Sequence, residues 1–385
     1  MVPNGWEKRD LQGLISVKHG FAFKSEYFSD NGDMVLLTPG SFYESGGFRN
    51  QGAKTKFYKG DVPRGYLLKK GDMLIAMTEQ AEGLLGSALF VPENSKYLHN
   101  QRLGLVQIIR QERVCLEFLY LFFNAPSSRR QITEQSTGTK VKHTSPDRLC
   151  SVIGLIPPLP EQKKIAQILS TWDKAISTTE QLLANSQQQK KALMQQLLTG
   201  KKRLLDNNGV RFSGDFTSIK VKDLVDIFYG KSPKEILSLS GDFPIYGTGG
   251  ISGYSSEALC FDASVLIVRK GTIDRPLYIE TPFWAIDTTF YCLPKSQTNL
   301  KWFYYFVSNI DLKKYSEASG VPSLSRETIY SIKATITTNL EEQQKIAAVL
   351  STADQEISAL QQKLAALKQE KKALMQQLLT GKRRV

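Results

Sequence analysis

A twelve-residue sequence occurs twice in this chain of 385 residues. Residues 190–201, KKALMQQLLTGK, return unchanged as residues 371–382. The likeness begins at Glu161 and Glu342, and 28 of the 43 aligned pairs are identical at a constant offset of 181 residues. The sequence between the two copies does not match at that level. The duplication therefore predicts two similar long segments, each attached to a divergent module of its own.

These repeats divide the chain into four parts. Module 1 is predicted to cover residues 1–160 and the first repeat residues 161–205. Module 2 is predicted to cover residues 206–340 and the second repeat residues 341–385.

Each repeat has the apolar pattern of a long helix. Apolar residues follow one another at alternating spacings of four and three, and Gly200 and Gly381 stand where the helices should end. An ordinary core helix can carry a leucine stripe, but about five heptads in one register, twice, favour a seam that is buried against another helix. At 1.5 Å per residue each helix would be about 55–60 Å long. The predicted seam residues are Ile165, Leu169, Trp172, Ile176, Leu183, Leu193, Leu197, Ile346, Leu350, Ile357, Leu360, Leu364, Leu367, Leu374 and Leu378.

Connectivity predicts the orientation of this helix pair. One module separates the two helices, and the ends of a module usually lie close together. The second helix should therefore start near the end of the first and run back beside it, which gives an antiparallel coiled coil.

Three seam positions of the first repeat are polar, namely Thr179, Ser186 and Lys190. We interpret them as residues that fix the register or contact another subunit.

The two modules are distant relatives of each other. Residues 11–20 resemble residues 221–230, and both segments end in glycine, Gly20 and Gly230. Each module later carries an apolar strand-like segment, an aromatic helical segment, a basic pair and a loop of small residues. Short strands, glycine-containing turns and few helices predict an α+β fold, with a pseudo-two-fold that arises from the internal duplication.

Composition narrows the class of protein. The chain contains no run of 18 apolar residues and no signal-peptide pattern at its start, so we expect a cytoplasmic protein without membrane contact. Four scattered cysteines and three histidines argue against a metal centre. The net charge of +13 favours a polyanionic partner, and the excess falls on module 1 and the two repeats.

The duplicated Glu-Gln-x-Lys-Ile-Ala and Leu-Met-Gln-Gln-Leu-Leu-Thr-Gly-Lys segments, alternating with divergent modules, resemble the DNA-specificity (S) subunit of type I restriction-modification systems. The resemblance covers the whole chain. It implies two target-recognition domains, each of which reads one half of a split, asymmetric site on double-stranded DNA. It also implies that the helices set the spacer and dock two methyltransferase subunits and the restriction (endonuclease/translocase) subunits.

The same resemblance implies a chain without catalysis or cofactors of its own, with S-adenosylmethionine, Mg²⁺ and ATP bound by partner subunits. The residues agree, because the methyltransferase tetrapeptide Asn/Asp-Pro-Pro-Tyr/Phe and a Walker motif are both missing from the sequence. Two alternatives stay open at this point. The chain could serve a fused methyltransferase-nuclease, or it could be a coiled-coil scaffold that binds no DNA.

The candidate DNA-binding residues fall into two groups. Basic pairs at matched places in the two modules are predicted to contact phosphates, although a solvated helix end would look the same. Loop residues that can bond to base edges are predicted to read sequence. The phosphate candidates are Arg129, Arg130, Lys313 and Lys314. The base-reading candidates are Asn100, Gln101, Arg102, Lys140, Lys142 and His143 in module 1, and Tyr254, Arg269, Lys270 and Arg275 in module 2.

Overall fold

The computed structural model describes residues 2–79, 82–138, 141–236 and 241–385. It separates into two compact units. Unit 1 comprises residues 1–178 and 365–385, and unit 2 comprises residues 179–364. Each unit therefore contains one module together with a part of each repeat.

Module 1 in unit 1 is built on three sheets. A four-stranded sheet has the order β2-β9-β6-β7, a second has the order β3-β5-β4-β8, and β1 pairs with β10. The strands are β1 (Glu7–Arg9), β2 (Ile15–His19), β3 (Phe28–Ser29), β4 (Val35–Leu36), β5 (Phe57–Tyr58), β6 (Met73–Ala76), β7 (Ala88–Phe90), β8 (Tyr97–Leu98), β9 (Leu103–Ile108) and β10 (Gly154–Ile156). The helices of the module are α1 (Leu116–Asn124), α2 (Pro126–Glu134) and α3 (Pro146–Cys150), with 3-10 turns at Ser25–Tyr27, Pro39–Ser41 and Gly52–Lys54.

Strand β6 is the centre of this module. All four of its residues are fully buried, because successive side chains enter two different cores. Met73 and Ile75 pack in the core that contains the aromatic residues of α1. Leu74 and Ala76 pack in the core formed with the second sheet. The continuous apolar run of this strand is the consequence of burial on both faces.

The first long helix, α4 (Leu159–Leu197), follows module 1 and contains 39 residues. Module 2 in unit 2 then repeats the main sheet of module 1, with the order β12-β18-β15-β16, beside the smaller sheets β14-β13-β17 and β11-β19. Its strands are β11 (Thr217–Lys220), β12 (Val225–Tyr229), β13 (Phe243–Gly247), β14 (Gly250–Ser255), β15 (Ser264–Val268), β16 (Leu277–Ile279), β17 (Trp284–Ala285), β18 (Thr289–Pro294) and β19 (Lys333–Ile336). The helices are α5 (Leu300–Ser308), α6 (Arg326–Ser331) and the second long helix α7 (Leu340–Leu379), with 3-10 turns at Val221–Asp223 and Leu312–Tyr315.

The two long helices run antiparallel within each unit, as predicted. In unit 1 the Asp173 carboxylate bonds to Lys371 at 2.5 Å. In unit 2 the Lys190 ammonium bonds to Asp354 at 2.5 Å, and Ser186 donates to Glu356 at 3.0 Å. As the residue number on α4 rises, the number of its partner on α7 falls. All fifteen predicted seam residues are buried or half-buried.

The two lysine–aspartate pairs are copies of one another. Asp173 and Asp354 are related by the repeat offset, and so are Lys190 and Lys371. Two polar seam residues of α4, Ser186 and Lys190, thus bond across to α7. In unit 2 the carboxylate of Asp354 also accepts a hydrogen bond from Tyr305 of α5 at 2.8 Å. Burial and this contact with Asp354 raise the pKa of Tyr305.

The repeated glutamate at the start of each long helix pairs with an arginine that lies a few residues after the end of the other helix. Glu161 bonds to Arg384 at 2.7 Å, and Glu342 bonds to Arg203 at 2.6 Å. Trp6 also donates its indole N–H to Glu161 at 2.9 Å. Hydrogen bonds from Arg384 and Trp6 outweigh burial and lower the pKa of Glu161.

The glutamine that follows each glutamate ties the helix to its module. The Gln162 amide donates to Arg113 and Pro157 carbonyls at 2.7 and 2.8 Å, and its oxygen accepts from the Cys115 amide. Gln343 makes the equivalent bonds in unit 2. Both side chains are buried, so the repeated Glu-Gln pair holds each module to the start of its helix.

None of the helices in the described part of the chain combines the length and the apolar character that crossing a bilayer requires.

Candidate nucleic-acid interface

Three separated segments of module 1 meet at the end of β6. The Met77 amide donates to the Arg102 carbonyl at 2.9 Å, on the turn between β8 and β9. On its other side the Thr144 amide donates to the Met77 carbonyl, and the Glu79 amide to the Lys142 carbonyl, both at 2.9 Å. The structure therefore brings together two stretches that the sequence analysis singled out, residues 100–102 and the described part of the loop 139–144.

Gly20 allows this turn to pack against the end of β2. A Cβ atom on Gly20 would lie 1.9 Å from the Asn100 carbonyl oxygen, a distance that no side chain can tolerate. The neighbouring Phe21 amide donates to the His99 carbonyl, and the Gln101 amide donates to the Phe21 carbonyl. The backbone of residues 99–103 is thus fixed on both sides.

His99 holds the same turn from within. Its Nε2 atom lies 2.9 Å from the Leu103 carbonyl oxygen, so this nitrogen carries the proton and donates. The Nδ1 atom is buried without a partner among the described residues. Burial lowers the pKa of His99 to about 4, and the imidazole is therefore neutral near pH 7.

The predicted base readers of module 1 differ in their freedom to contact DNA. Gln101 and Arg102 are exposed at the tip of the turn. Asn100 is only 6% exposed, and its side chain accepts a hydrogen bond from the Arg102 amide. His143 is exposed, with Nδ1 3.2 Å from the Thr78 hydroxyl, and Lys142 lies 3.9 Å from Glu79. Lys140 lies outside the described residues.

The two arginines of the basic pair in module 1 also differ in their freedom to contact DNA. Arg129 on α2 donates to the carbonyls of Glu44 and Gly83, so its guanidinium ties two loops to the helix. Burial lowers the pKa of Arg129 to about 10, which still leaves it charged near pH 7. Arg130, the next residue, is exposed. Of the two, Arg130 has the freer side chain for a phosphate.

Module 2 has the same backbone arrangement with different side chains. The Arg269 amide donates to the Thr288 carbonyl at 2.8 Å, as Met77 does to Arg102. The Leu324 amide donates to the Arg269 carbonyl at 2.9 Å, and the Gly271 amide donates to the Pro322 carbonyl at 2.9 Å. The end of β15 is therefore held by segments equivalent to those around β6.

A close approach of glycine to neighbouring backbone, shared by the two modules, identifies a turn that the sequence analysis did not predict. A Cβ atom on Gly230 would lie 2.0 Å from the Ile286 carbonyl oxygen, just as a Cβ atom on Gly20 would lie against the Asn100 carbonyl oxygen. Residues 286–288 of module 2 are thus equivalent to residues 100–102 of module 1. The signal was present in the alignment of Gly20 with Gly230, because both glycines require a backbone to pass close by.

Arg269 belongs to a partly exposed cluster with Tyr229 and Arg326, neither of which was singled out from the sequence. The Arg269 guanidinium carbon lies 5.4 Å from the Tyr229 ring centroid, and that of Arg326 lies 5.2 Å from it. Tyr229 is 41% exposed. Lys270, the next predicted residue, is also exposed at the end of β15.

The other candidates of module 2 lie elsewhere in the module. Tyr254 is 47% exposed on β14, in the small sheet that also contains β13 and β17. Lys313 bonds to Asp274 at 2.6 Å, and this contact lowers the pKa of Asp274. Lys314 lies 3.7 Å from Asp311, and Arg275 is exposed. Both lysines keep exposed side chains, which a phosphate contact requires.

A second aromatic and basic surface flanks the turn of module 1. Lys18 lies 4.3 Å from the Tyr66 ring centroid, and the Phe21 and Tyr66 rings are 5.4 Å apart. Phe21 is 36% exposed. Basic side chains interleaved with exposed rings are typical of surfaces that bind nucleic acid.

Comparison with known families decides what class of protein carries these features. A family model described as the type I restriction modification DNA specificity domain matches residues 3–185 and again residues 213–369. The chain belongs to this family. Each match includes one module and a large part of the long helix that follows it, so the internal duplication is a duplication of the specificity domain. The family resemblance and the α+β fold predicted from the sequence are both confirmed.

Two curated relatives have recognisable sequence similarity. The type I restriction enzyme EcoBI specificity subunit of Escherichia coli is 26% identical over 184 residues, 47% of this chain and 35% of that protein. The MjaVIII specificity subunit of Methanocaldococcus jannaschii is 25% identical over 213 residues, 54% of this chain and 48% of that protein. The matched region spans less than half the length of either relative.

Solved structures share the fold of the specificity-domain family over nearly the whole chain. The S subunit of a type I restriction-modification system from M. genitalium superposes with a TM-score of 0.67 at 16% identity, covering 98% of both chains. A chain from a structure on complex assembly and conformational transition of the type I system gives a TM-score of 0.55, again at 16% identity and 98% of both chains. The fold is therefore retained at an identity where most side chains differ.

Within the described ranges, no cluster of three or more histidine, cysteine, aspartate or glutamate side chains could hold a metal ion. The four cysteines are free thiols, and burial raises the pKa of each.

Proposed function

We propose that this chain is the DNA-recognition subunit of a type I restriction-modification complex, and that each module reads one half of a bipartite, asymmetric site. One observation supports this most strongly. The family match falls once on each module, and both modules present the same hydrogen-bonded edge with different exposed side chains. A common backbone with divergent side chains is what two readers of different sequences require.

The charge of the chain is suited to a duplex. The excess of lysine and arginine behind its net charge of +13 can contact DNA phosphates, and each phosphate contact releases a condensed counterion. Arg130, Lys313 and Lys314 are the proposed phosphate contacts, because each keeps an exposed side chain. Arg129 is proposed as a weaker contributor, since two loop carbonyls already occupy its guanidinium.

The base-reading role is proposed for the edge at the ends of β6 and β15. In module 1 it includes Gln101, Arg102, Lys142 and His143, and Lys140 is kept as a candidate outside the described residues. In module 2 it includes Arg269 and Lys270. Arginine can form two hydrogen bonds to guanine, and glutamine can do so to adenine. Asn100, Tyr254 and Arg275 stay candidates of lower rank.

The long helices are proposed to connect the two readers. When two modules on one chain bind the same duplex, the second contact is effectively intramolecular, so modest affinities combine into a tight one. The helices are further proposed to set the length of the unread spacer. Their exposed faces are proposed to dock two methyltransferase subunits and the restriction subunits.

The chain itself is proposed to perform no chemistry. The matching family is described by DNA specificity rather than by a reaction, and the methylation and cleavage reactions would belong to partner subunits. S-adenosylmethionine, Mg²⁺ and ATP would accordingly bind those partners. A cytoplasmic location fits this role.

Methylation sequencing tests the proposal directly. The chain is expressed with its cognate methyltransferase subunits in a host that lacks this methylation, and modified bases are mapped across the genome. The expected result is one bipartite motif with two specified halves and an unspecified spacer. The chain expressed without its methyltransferase subunits is the matched control, and it should give no motif. The proposal is wrong if methylation is absent with the intact complex or follows a single continuous motif.

A further inference from the structure

We propose that Tyr229, Arg269 and Arg326 form a guanine-reading site in module 2, with Tyr229 positioning the two guanidinium groups. This inference rests on the proposed function and names the base that one half-site must contain.

Both guanidinium groups lie over one exposed ring. Arg269 and Arg326 approach the Tyr229 centroid to 5.4 and 5.2 Å, and Arg269 also lies 6.0 Å from the Phe290 ring centroid. Contact with an aromatic face restrains a guanidinium while leaving its N–H edge free to donate. A restrained fork loses less entropy when it forms two parallel hydrogen bonds.

The backbone beneath these side chains is fixed. Arg269 is hydrogen-bonded through both its amide and its carbonyl, to Thr288 and Leu324. Arg326 is the first residue of α6, whose N-terminus is capped by the Ser325 hydroxyl accepting from the Thr328 amide. Tyr229 ends β12 and precedes Gly230, which is held against the turn at residue 286. The site therefore requires little reorganisation to meet a ligand.

The cluster carries an excess of positive charge. No carboxylate in the described residues forms an ion pair with Arg269. Arg326 donates from Nε and Nη2 to the Glu327 carboxylate at 3.4 Å, so a base would have to displace this side chain, which is 69% exposed. Exposed Lys231 and Lys270 neighbour Tyr229 and Arg269 in the sequence. Two guanidiniums on one ring repel each other, and an exposed glutamate offsets this only weakly. A polyanion would relieve this repulsion.

Module 1 shows that the fold does not need the cluster. The hydrogen-bond pattern makes His19 equivalent to Tyr229, Met77 equivalent to Arg269, and Pro146 equivalent to Arg326. Module 1 keeps the same backbone with none of these side chains. The three residues therefore lie where the two modules differ, on the edge that also carries the predicted base readers.

The chemistry of the site selects guanine. In the major groove guanine presents two acceptors, O6 and N7, that match the paired N–H groups of arginine. Lysine keeps the charge but cannot reproduce that paired geometry. An Arg→Lys change therefore separates base reading from simple attraction to phosphate.

The test uses the complete complex with its methyltransferase subunits and compares Arg269→Lys, Arg326→Lys and Tyr229→Leu with the unaltered chain. DNA binding is measured on the natural site and on duplexes with single substitutions in the second half-site. For at least one Arg→Lys variant, preference for guanine at one position of that half should fall roughly tenfold to a hundredfold. Preference in the first half should be unchanged. Tyr229→Leu should weaken the same guanine preference.

Arg211→Lys is the matched control, because Arg211 is an exposed arginine of the same unit in the hairpin of residues 205–211. It should alter neither half-site. The inference is overturned if the second half-site contains no guanine, or if both Arg→Lys variants keep full preference. It is also overturned if they weaken binding to all sequences equally with a smaller salt dependence, since that is the behaviour of a phosphate contact. In each of these cases the unaltered complex still recognises a bipartite site, whereas failure of the proposed function would remove that site altogether.

Discussion

At the scale of single residues, Glu342 shows how a repeated polar residue stabilises the fold. Its carboxylate side chain is 1% exposed and bonds to Arg203, which is 17% exposed. Glu341, the preceding residue, is 44% exposed and lies 3.9 Å from Lys345. Two adjacent glutamates of α7 thus lie in opposite environments.

Replacing Glu342 should therefore destabilise unit 2 strongly. Glu342→Ala leaves the Arg203 guanidinium poorly compensated, and we expect the free energy of unfolding to fall by about 3 kcal/mol. Glu341→Ala should change it by less than about 0.5 kcal/mol, because exposed ion pairs contribute little. Denaturant unfolding of both variants measures the difference. Equal effects would mean that the Arg203 contact has no structural role.

His99 should make module 1 sensitive to acid. Its pKa is lowered from 6.5 to about 4 by burial, so the unfolded chain binds a proton at a higher pH than the folded chain does. The contribution of this group is fully present above about pH 6.5 and is lost progressively as the pH falls toward 4. At about 1.4 kcal/mol per pKa unit, the loss is at most about 3.5 kcal/mol.

Thermal unfolding between pH 4 and pH 7 tests this linkage. The unaltered chain should lose more stability over that range than His99→Gln, which cannot gain a charge. The two pH profiles would run parallel if the buried imidazole played no part.

At the scale of elements, the two long helices could be predicted in detail and the strands could not. The helices carry a local heptad pattern, repeated at a fixed offset, and their antiparallel pairing followed from connectivity. The strands are two to six residues long, and their partners are distant in sequence, as for β2 with β9. Pairing over such distances depends on the whole core rather than on local pattern.

The close contact between Gly20 and the turn at residues 100–102 gives a prediction for DNA recognition by module 1. Gly20→Ala would place a methyl group against the Asn100 carbonyl, so the turn at residues 100–102 must move. Affinity for the first half-site should fall at least tenfold while preference in the second half is kept. Gly249→Ala, where a Cβ atom would meet nothing within 4 Å, should bind both halves normally. Half-site binding by the complex distinguishes the two variants.

The candidate site was predictable only in outline. Residues 100–102 and the loop 139–144 were singled out because they contain side chains that can bond to bases. The structure brings residues 100–102 and the described part of that loop to the end of β6. Tyr229 and Arg326 were missed because nothing local marks them, and their common ring contact arises only from tertiary structure. The lysine–aspartate pairs were also missed, because aligning the repeats shows only that Lys190 and Lys371 are equivalent and does not show that Lys190 meets Asp354.

At the scale of the whole molecule, the specificity domain has been duplicated, and each copy has kept its anchors while changing its surface. Glu161 and Glu342 with their arginines, and Gln162 and Gln343 with their backbone partners, are retained in both copies. The side chains at the ends of β6 and β15 differ. This difference between retained anchors and changed surface predicts that one module can change its DNA sequence preference while the contacts that hold the modules to the long helices are kept.

The proposed role of the helices as a spacer leads to a separate prediction. Insertion of seven residues at matched heptad positions of both helices preserves the seam and lengthens each helix by about 10 Å. The unread spacer should then grow by about three base pairs, with both half-sites unchanged. Methylation mapping reports the spacer directly, and an unaltered spacer would argue against this role.

The central claim is that the two modules read their half-sites independently. Its most direct measurement is the exchange of residues 206–340 for the corresponding module of another member of the family, followed by methylation sequencing of the host. The account predicts that one half of the motif changes to that of the donor and the other half stays the same. A change in both halves, or in neither, would contradict it.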